Sequence, residues 1–208
     1  MQYLNKMYYG GTTVTYYDGQ NKKEVTCPTN KLDNTAKSLI DNHTWNTGTP
    51  NNSKLYDSTT KSYDTVEFYK AERGNETGRI CNGGDACNDT VEITTTWTGY
   101  IGLPYITDYA YASSESDCNT KIDNLYRAYR CRGNNWMFKP NTWYWTLSPN
   151  ANSGTWRNVW YVYSDGSVER DYAATGAGLF PAIYLKTDIL IESGTGTNTD
   201  PYTLKLSN

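Results

Sequence analysis

The sequence contains one histidine, three phenylalanines and no run of Lys or Arg longer than a pair. A single imidazole, His43 in the polar stretch "DNHTWNTG", leaves too few ligands for a usual zinc set and reads as a surface residue rather than a general base. With a formal charge of −3 and 20% charged residues, no basic surface is concentrated enough to attract nucleic acid. No segment approaches the length of apolar run that spans a bilayer, and "MQYLNKMYYGG" lacks the charged and apolar regions of a signal peptide. Catalytic signatures are missing too: there is no Gly-x-Ser-x-Gly elbow, no phosphate-binding glycine loop and no His-Glu-x-x-His, while "GTGTN" near the end has no helix after it. Nothing selects a working pair among the 22 acidic residues. The expectation is therefore a protein that is not an enzyme and needs no cofactor.

Cysteine is present but never as Cys-x-x-Cys; the five lie at 27, 81, 87, 118 and 131. Two disulfides and one remaining thiol are expected. Several pairings are open, and Cys81–Cys87 with Cys118–Cys131 is favoured because each closes a short local loop, which leaves Cys27 as the odd residue. The competing reading is five reduced, buried thiols in a cytosolic protein. Disulfides would imply an oxidising, extracellular setting. Asp85, Asp89 and nearby carbonyls in "GGDACNDT" offer oxygen ligands for calcium, but their spacing misses the helix-loop-helix site, so a disulfide-closed polar turn is preferred and no metal is predicted.

What the chain does have is 20 tyrosines and 7 tryptophans against 37% hydrophobic residues overall. A core in such a chain must draw on aromatics, and tyrosine's apolar ring with a polar tip suits half-buried surfaces and contact faces. Five of the tryptophans, at 136, 143, 145, 156 and 160, fall in "NNWMFKPNTWYWTLSPNANSGTWRNVWYVYSDG". Trp136 and Trp145 are read as packing residues. The loops around them mix rigid aromatics with adaptable Asn, Ser and Gly, a composition typical of recognition surfaces.

Length favours one domain of 208 residues, with strands, a helix and loops over 1–95. "YYDGQNKK" reads as a hairpin turning at Asp18-Gly19. "NKLDNTAKSLID" reads as a helix capped by Asn30, with Asp33 near its first-turn dipole. "DTVEFYKAERG" reads as a strand, "VEITTTWTGYIGLPYI" as a β-rich stretch broken at Pro104, and 116–130 as a helix presenting Ile122, Leu125, Tyr126 and Tyr129. "NVWYVY" sets Val159, Tyr161 and Tyr163 against Trp160 and Val162, then turns at "SDG" into "SVERD" as a hairpin. "FPAIYLK" and the terminal "YTLKLS" complete the strands.

The segments "TWTGYIGLPYITDYAYAS", "NNWMF", "YWTLSP", "VWYVYSDGSV" and "GLFPAIYLKTDILIESGTGTNTDPYTL" resemble, over roughly residues 30–208, the ectodomains of type IV pilin-like (prepilin-type) surface proteins of gut bacteria. From Trp136 to Leu185 the chain is also similar to the C-type lectin fold of formylglycine-generating-enzyme-like domains and of the variable proteins of diversity-generating retroelements. That resemblance implies the α+β class and a ligand-binding portion over 96–208. It implies a twisted antiparallel sheet with few helices and long loops, displayed at the bacterial cell surface on a pilin-like stem and carrying a diversifiable binding face for adhesion. It implies solvent-facing contacts at Phe138, Asn141, Trp143, Tyr144, Asn150, Asn152, Trp156, Arg157, Trp160, Arg170 and Tyr172, with Trp145, Leu147, Pro149, Val168, Pro181 and Tyr184 as scaffold. The implied partners are a protein or glycan ligand and other pilin subunits, with membrane contact only through an N-terminal helix that this sequence lacks.

Two departures bear on activity. Gly178-Leu179-Phe180-Pro181 stands where related domains often read Gly-Val-Arg-Pro, and Lys139-Pro140-Asn141 stands where calcium-dependent lectins carry a Glu-Pro-Asn or Gln-Pro-Asp loop. A lysine there would repel the ion. A structural pilus subunit is the alternative function, and a sulfatase-modifying-factor-like enzyme is a third, disfavoured because the cysteines are expected in disulfides.

Overall fold

The computed structural model describes residues 3–18, 21–25, 32–47, 56–57, 62–73, 96–122, 131–132, 134–149, 158–173, 175–197 and 199–207. It is a mixed α+β structure, mostly strands with a few short helices. After a π-helical turn at Leu4–Tyr9 come β1 (Val14–Asp18), β2 (Asn21–Val25), α1 (Asn34–Leu39), β3 (His43–Asn46), β4 (Tyr56–Asp57), β5 (Ser62–Tyr63), α2 (Thr65–Arg73), β6 (Thr96–Gly99), β7 (Ile101–Gly102) and α3 (Ile106–Tyr111). A 3-10 turn at Ser116–Cys118 leads on to β8 (Tyr144–Pro149), β9 (Asn158–Val162), β10 (Val168–Tyr172), β11 (Gly178–Leu179), β12 (Ala182–Ile183), β13 (Ile189–Ser193) and β14 (Thr203–Leu206). Contacts divide the chain into two compact units that interleave in sequence: Met1–His43, Thr98–Gly102 and Ala182–Asn208 form one, Thr44–Trp97 and Leu103–Pro181 the other.

In the first unit the expected hairpin is present, with β1 and β2 antiparallel and Asp18 opposite Asn21. Helix α1 starts later than its sequence suggested. Its cap is Asp33, whose carboxylate accepts the Ala36 N–H at 2.7 Å, whereas Asn30 lies outside the described residues. The terminal strand β14 finds its partner next door, pairing antiparallel with β13 so that Ile189 faces Leu206 and Ile191 faces Leu204. Asn5 ties the π-helical turn to β7, accepting the Tyr100 and Ile101 N–H groups and donating to the Ile101 carbonyl.

The second unit is built on a four-stranded sheet in the order β10-β9-β8-β11. Strand β9 pairs antiparallel with both neighbours, and β11 runs parallel to β8. One face is closed by Phe68, Ile106, Tyr109, Ala110, Ile122 and Met137, which form a buried cluster with Tyr144, Trp160, Val162 and Val168. This core uses aromatics in place of abundant leucine, and its buried phenols are satisfied: Tyr109 donates to the Gly166 carbonyl at 2.8 Å and Tyr144 to the Met137 carbonyl at 3.1 Å. Burial raises both phenols above their ordinary range, so they remain neutral donors.

Two local expectations differ from the structure, and a third lies mostly outside the described residues. Residues 65–73 form helix α2, not a strand: Thr65, Phe68 and Glu72 point inward at helical spacing, the exposed Lys70 favours helix, and the Asp64 carboxylate accepts the Val66 N–H at 2.9 Å as a cap. Pro104 ends a strand as expected, but the residues after it form α3, begun where the Tyr105 N–H donates to Asp108 Oδ2 at 2.8 Å. Over 116–130 the described residues 116–122 hold a 3-10 turn at Ser116–Cys118, a bridge from Lys121 to Asp64 and the buried Ile122, while Leu125, Tyr126 and Tyr129 lie outside the described residues. The Cys118–Cys131 disulfide is present with a Cα–Cα distance of 5.5 Å, while Cys27, Cys81, Cys87, Asp85 and Asp89 lie outside the described residues.

The β9–β10 turn is held from both ends. Asp165 accepts the Ser167 hydroxyl at 2.6 Å and its N–H at 2.9 Å, and pairs with Arg132 at 3.3 Å. The Ser167 hydroxyl lowers the Asp165 pKa against the opposing effect of burial, with the Ser167 N–H and Arg132 helping. Gly166 sits at φ +84°, and a Cβ there would come within 2.5 Å of the Arg132 Cβ. Gly166→Ala is therefore expected to destabilise the fold by about 1–3 kcal/mol. Urea unfolding of the two proteins side by side checks this, and an unchanged midpoint would contradict it.

Candidate functional site

Strand parity divides the sheet's side chains. Tyr144, Thr146 and Ser148 of β8 face the core with Trp160, Val162 and Val168, so Trp143, Trp145, Leu147, Val159, Tyr161, Tyr163, Glu169 and Asp171 take the opposite face. Cross-strand register places Trp145 beside Tyr161, and Tyr161 beside Glu169. Leu179 of β11 lies opposite Trp145 and is exposed.

Four rings gather on this outer face. Trp143, Tyr161 and Tyr163 stand with their centroids 6.0, 6.1 and 6.2 Å apart at interplanar angles of 66°, 76° and 84°, and Trp145 meets Tyr161 edge-on at 5.5 Å. Edge-to-face pairs of this kind contribute roughly 0.5–1.5 kcal/mol each beyond area burial, so the rings hold one another in place. Tyr161 is the buried centre, while Trp143 and Tyr163 remain 37% and 39% exposed. Tyr161 donates its phenol hydrogen to Glu169 Oε2 at 3.2 Å. Burial first, then the charge and hydrogen bond of Glu169, raise the Tyr161 pKa, which keeps the phenol a neutral donor. The result is a preorganised aromatic patch on a rigid sheet, edged by carboxylates.

The residues expected to contact ligand do not form one surface. Trp143 is on the outer face, the half-buried Phe138 packs beside Gly166, and Asn141 is exposed in the left-handed region at φ 59°. Tyr144 and Trp160 were expected to face solvent; they are 2% and 3% exposed, because Tyr144 reaches Met137 through its hydroxyl and Trp160 meets Phe68 edge-on in the core. Arg170 and Tyr172 are exposed but lie on Trp160's side of β10, with the Arg170 guanidinium 5.3 Å over the Trp160 ring. Asn150, Asn152, Trp156 and Arg157 lie outside the described residues.

Several packing assignments change as well. Trp136, expected inside, is 73% exposed, because its neighbours Asn135 and Met137 take the buried positions of the turn while its own N–H is held by the Ala112 carbonyl. Trp145, read as scaffold, belongs to the aromatic face. Leu147 and Pro149 are half-buried, Val168 is in the core and Pro181 is exposed. Tyr184, in the first unit, is half-buried and stacks on His43 at 3.7 Å.

Sequence reasoning missed Tyr161, Tyr163 and Glu169 as partners of Trp143. The signal was present in the two-residue spacing of Trp143 with Trp145 and of Tyr161 with Tyr163, since alternate residues of one strand share a face. A second polar cluster was not legible at all. Glu72 of α2 is buried and accepts hydroxyl hydrogens from Thr107 and Ser148, with Arg73 beside it at 3.6 Å. Ser148 Oγ also accepts the Ile106 N–H at 2.9 Å, so this serine is committed on both sides and fully enclosed.

Among the described residues no group of three or more His, Cys, Asp or Glu side chains is placed to hold a metal ion, and no helix is long and apolar enough to cross a membrane. No protein-family model, curated protein or solved structure matches this chain.

Proposed function

We propose that the chain is a non-enzymatic, extracellular ligand-binding domain of adhesin type, a C-type-lectin-like module carried on a pilin-like stem at a bacterial surface. The aromatic face of the second unit supports this reading: four rings are packed against one another, and two of them, Trp143 and Tyr163, are exposed above the buried Tyr161, which is hydrogen-bonded to Glu169. Rings fixed by their neighbours lose little conformational freedom when a partner docks, which is what makes Trp and Tyr effective contact residues. The Cys118–Cys131 disulfide fits an oxidising location. The binding centre moves from the loops favoured by the sequence to the sheet surface around Trp143 and Tyr163.

A structural subunit of a surface assembly is the second reading. It draws on the first unit, where Ile183, Leu185, Leu190, Ile191 and Leu206 are all exposed.

Both readings meet in one experiment. Immobilised domain is screened against soluble glycans and surface proteins, alongside a Trp143→Ala/Tyr163→Ala variant. Loss of a central aromatic contact costs about 2 kcal/mol or more, so captured ligand should bind the variant at least about 30-fold more weakly at a temperature where circular dichroism shows the variant still folded. Binding that survives the double substitution refutes the aromatic face. Self-association of the chain without ligand capture supports the subunit reading.

A further inference from the structure

Among the described residues, the acidic groups of the aromatic face have no paired cation. Glu169 accepts from the Tyr161 phenol, and Asp171, two residues along the same strand and on the same side, accepts the Tyr172 N–H at 2.7 Å. No described Lys, Arg or His forms an ion pair with either carboxylate, although Arg73, Arg132 and Lys205 each pair with an acid elsewhere. Arg170 lies between them in sequence, but strand alternation sends its guanidinium to the other side of the sheet, over Trp160.

The same fold shows what such a combination accommodates. The Arg73 guanidinium lies 4.1 Å from the Tyr69 ring centroid and 4.7 Å from that of Tyr105, and it pairs with the Asp108 carboxylate. Two rings and an acid there enclose a cation supplied by the chain itself. At the outer face the rings and acids are present, and no cation among the described residues pairs with them.

We propose that this face binds an arginine-bearing segment of a partner protein, the guanidinium lying against Trp143 and Tyr163 and pairing with Glu169, with Asp171 adding negative charge further along the same strand. This rests on the reading of the aromatic face as the ligand site. Guanidinium suits the position because it is planar, weakly hydrated and able to stack on a ring while donating to a carboxylate. A neutral sugar would cover the same rings but leave two carboxylate charges partly desolvated without a counterion. Charge complementarity therefore favours a basic protein segment over a neutral glycan.

The test is an NMR titration of the full chain, following the indole N–H signals of Trp143 and Trp145. The probes are a capped Gly-Arg-Gly-Arg-Gly peptide, its citrulline counterpart of the same shape without charge, and maltohexaose as a neutral glycan. The arginine peptide is expected to shift both indoles and to weaken with added salt, and the citrulline peptide to bind at least about tenfold more weakly. Glu169→Gln/Asp171→Asn should reduce arginine-peptide binding by a similar factor, whereas Glu192→Gln in the other unit should not. Equal binding of the arginine and citrulline peptides overturns the cation assignment. Indole shifts with maltohexaose alone also overturn it and leave the binding face standing. No shift with any probe overturns both.

Discussion

Stability of the wild-type protein is expected to fall by about 3 kcal/mol as pH rises from about 4.5 to above about 7, and Glu72→Gln should abolish most of that dependence. Glu72 is buried against α3 and β8, and loss of hydration raises its carboxyl from the ordinary 4.5 to about 7, against the opposing hydrogen bonds of Ser148 and Thr107 and the charge of Arg73. Below the unfolded value the acid is protonated in both states and the native state keeps its full stability. Between the two values the unfolded chain releases a proton that the folded chain retains, so each pH unit removes about 1.4 kcal/mol. Above the folded value the loss levels off. The glutamine amide can exchange hydrogen bonds with Thr107 and Ser148 without titrating. Urea unfolding of both proteins at several pH values gives the difference directly. Parallel profiles for the two would show that Glu72 ionises normally.

Phe68→Ala is expected to destabilise the second unit by about 4 kcal/mol, and Phe68→Leu by no more than about 1.5 kcal/mol. Phe68 is 0% exposed and meets Trp160 edge-on at 6.3 Å and 89°, joining α2 to the core side of the sheet. Truncation removes the ring's buried surface and leaves a cavity beneath Trp160, which the surrounding strands and disulfide-linked turn can close only in part. Denaturant unfolding monitored by tryptophan fluorescence measures this. A loss below 1 kcal/mol would mean that α2 does not pack through Phe68.

The strand expected over α2 failed because its pattern was read without the partners that bury it. In "DTVEFYKAERG", Val66 and Phe68 alternate with Glu67 well enough for a strand, yet the residues that turn inward are Thr65, Phe68 and Glu72. A fully enclosed glutamate at a core position runs against the usual hydrophobic pattern, and only hydroxyls from Thr107 and Ser148, distant in sequence, make it tolerable. The hairpins were legible because their signals are local: Asp18-Gly19 and Ser164-Asp165-Gly166 are turn sequences of a few residues, and the strands on either side of each pair antiparallel. The Cys118–Cys131 pair was legible for the same reason, as the two ends of a short loop.

Strand alternation in "TWYWTLSP" and "NVWYVYSDG" set which aromatics share a side, and composition required a core made of rings. Local covalent geometry determines such properties, since neighbouring side chains in a strand must point to opposite faces. Which of the two sides would be covered was decided in the folded chain, where Phe68, Ile106 and Tyr109 close over Tyr144 and Trp160 and leave Trp143 and Tyr163 outside. The joining of Trp143 and Trp145 to Tyr161, Tyr163 and Glu169 was decided there too. Cross-strand pairing and the burial of one face depend on segments far apart in sequence, whose meeting no local pattern encodes.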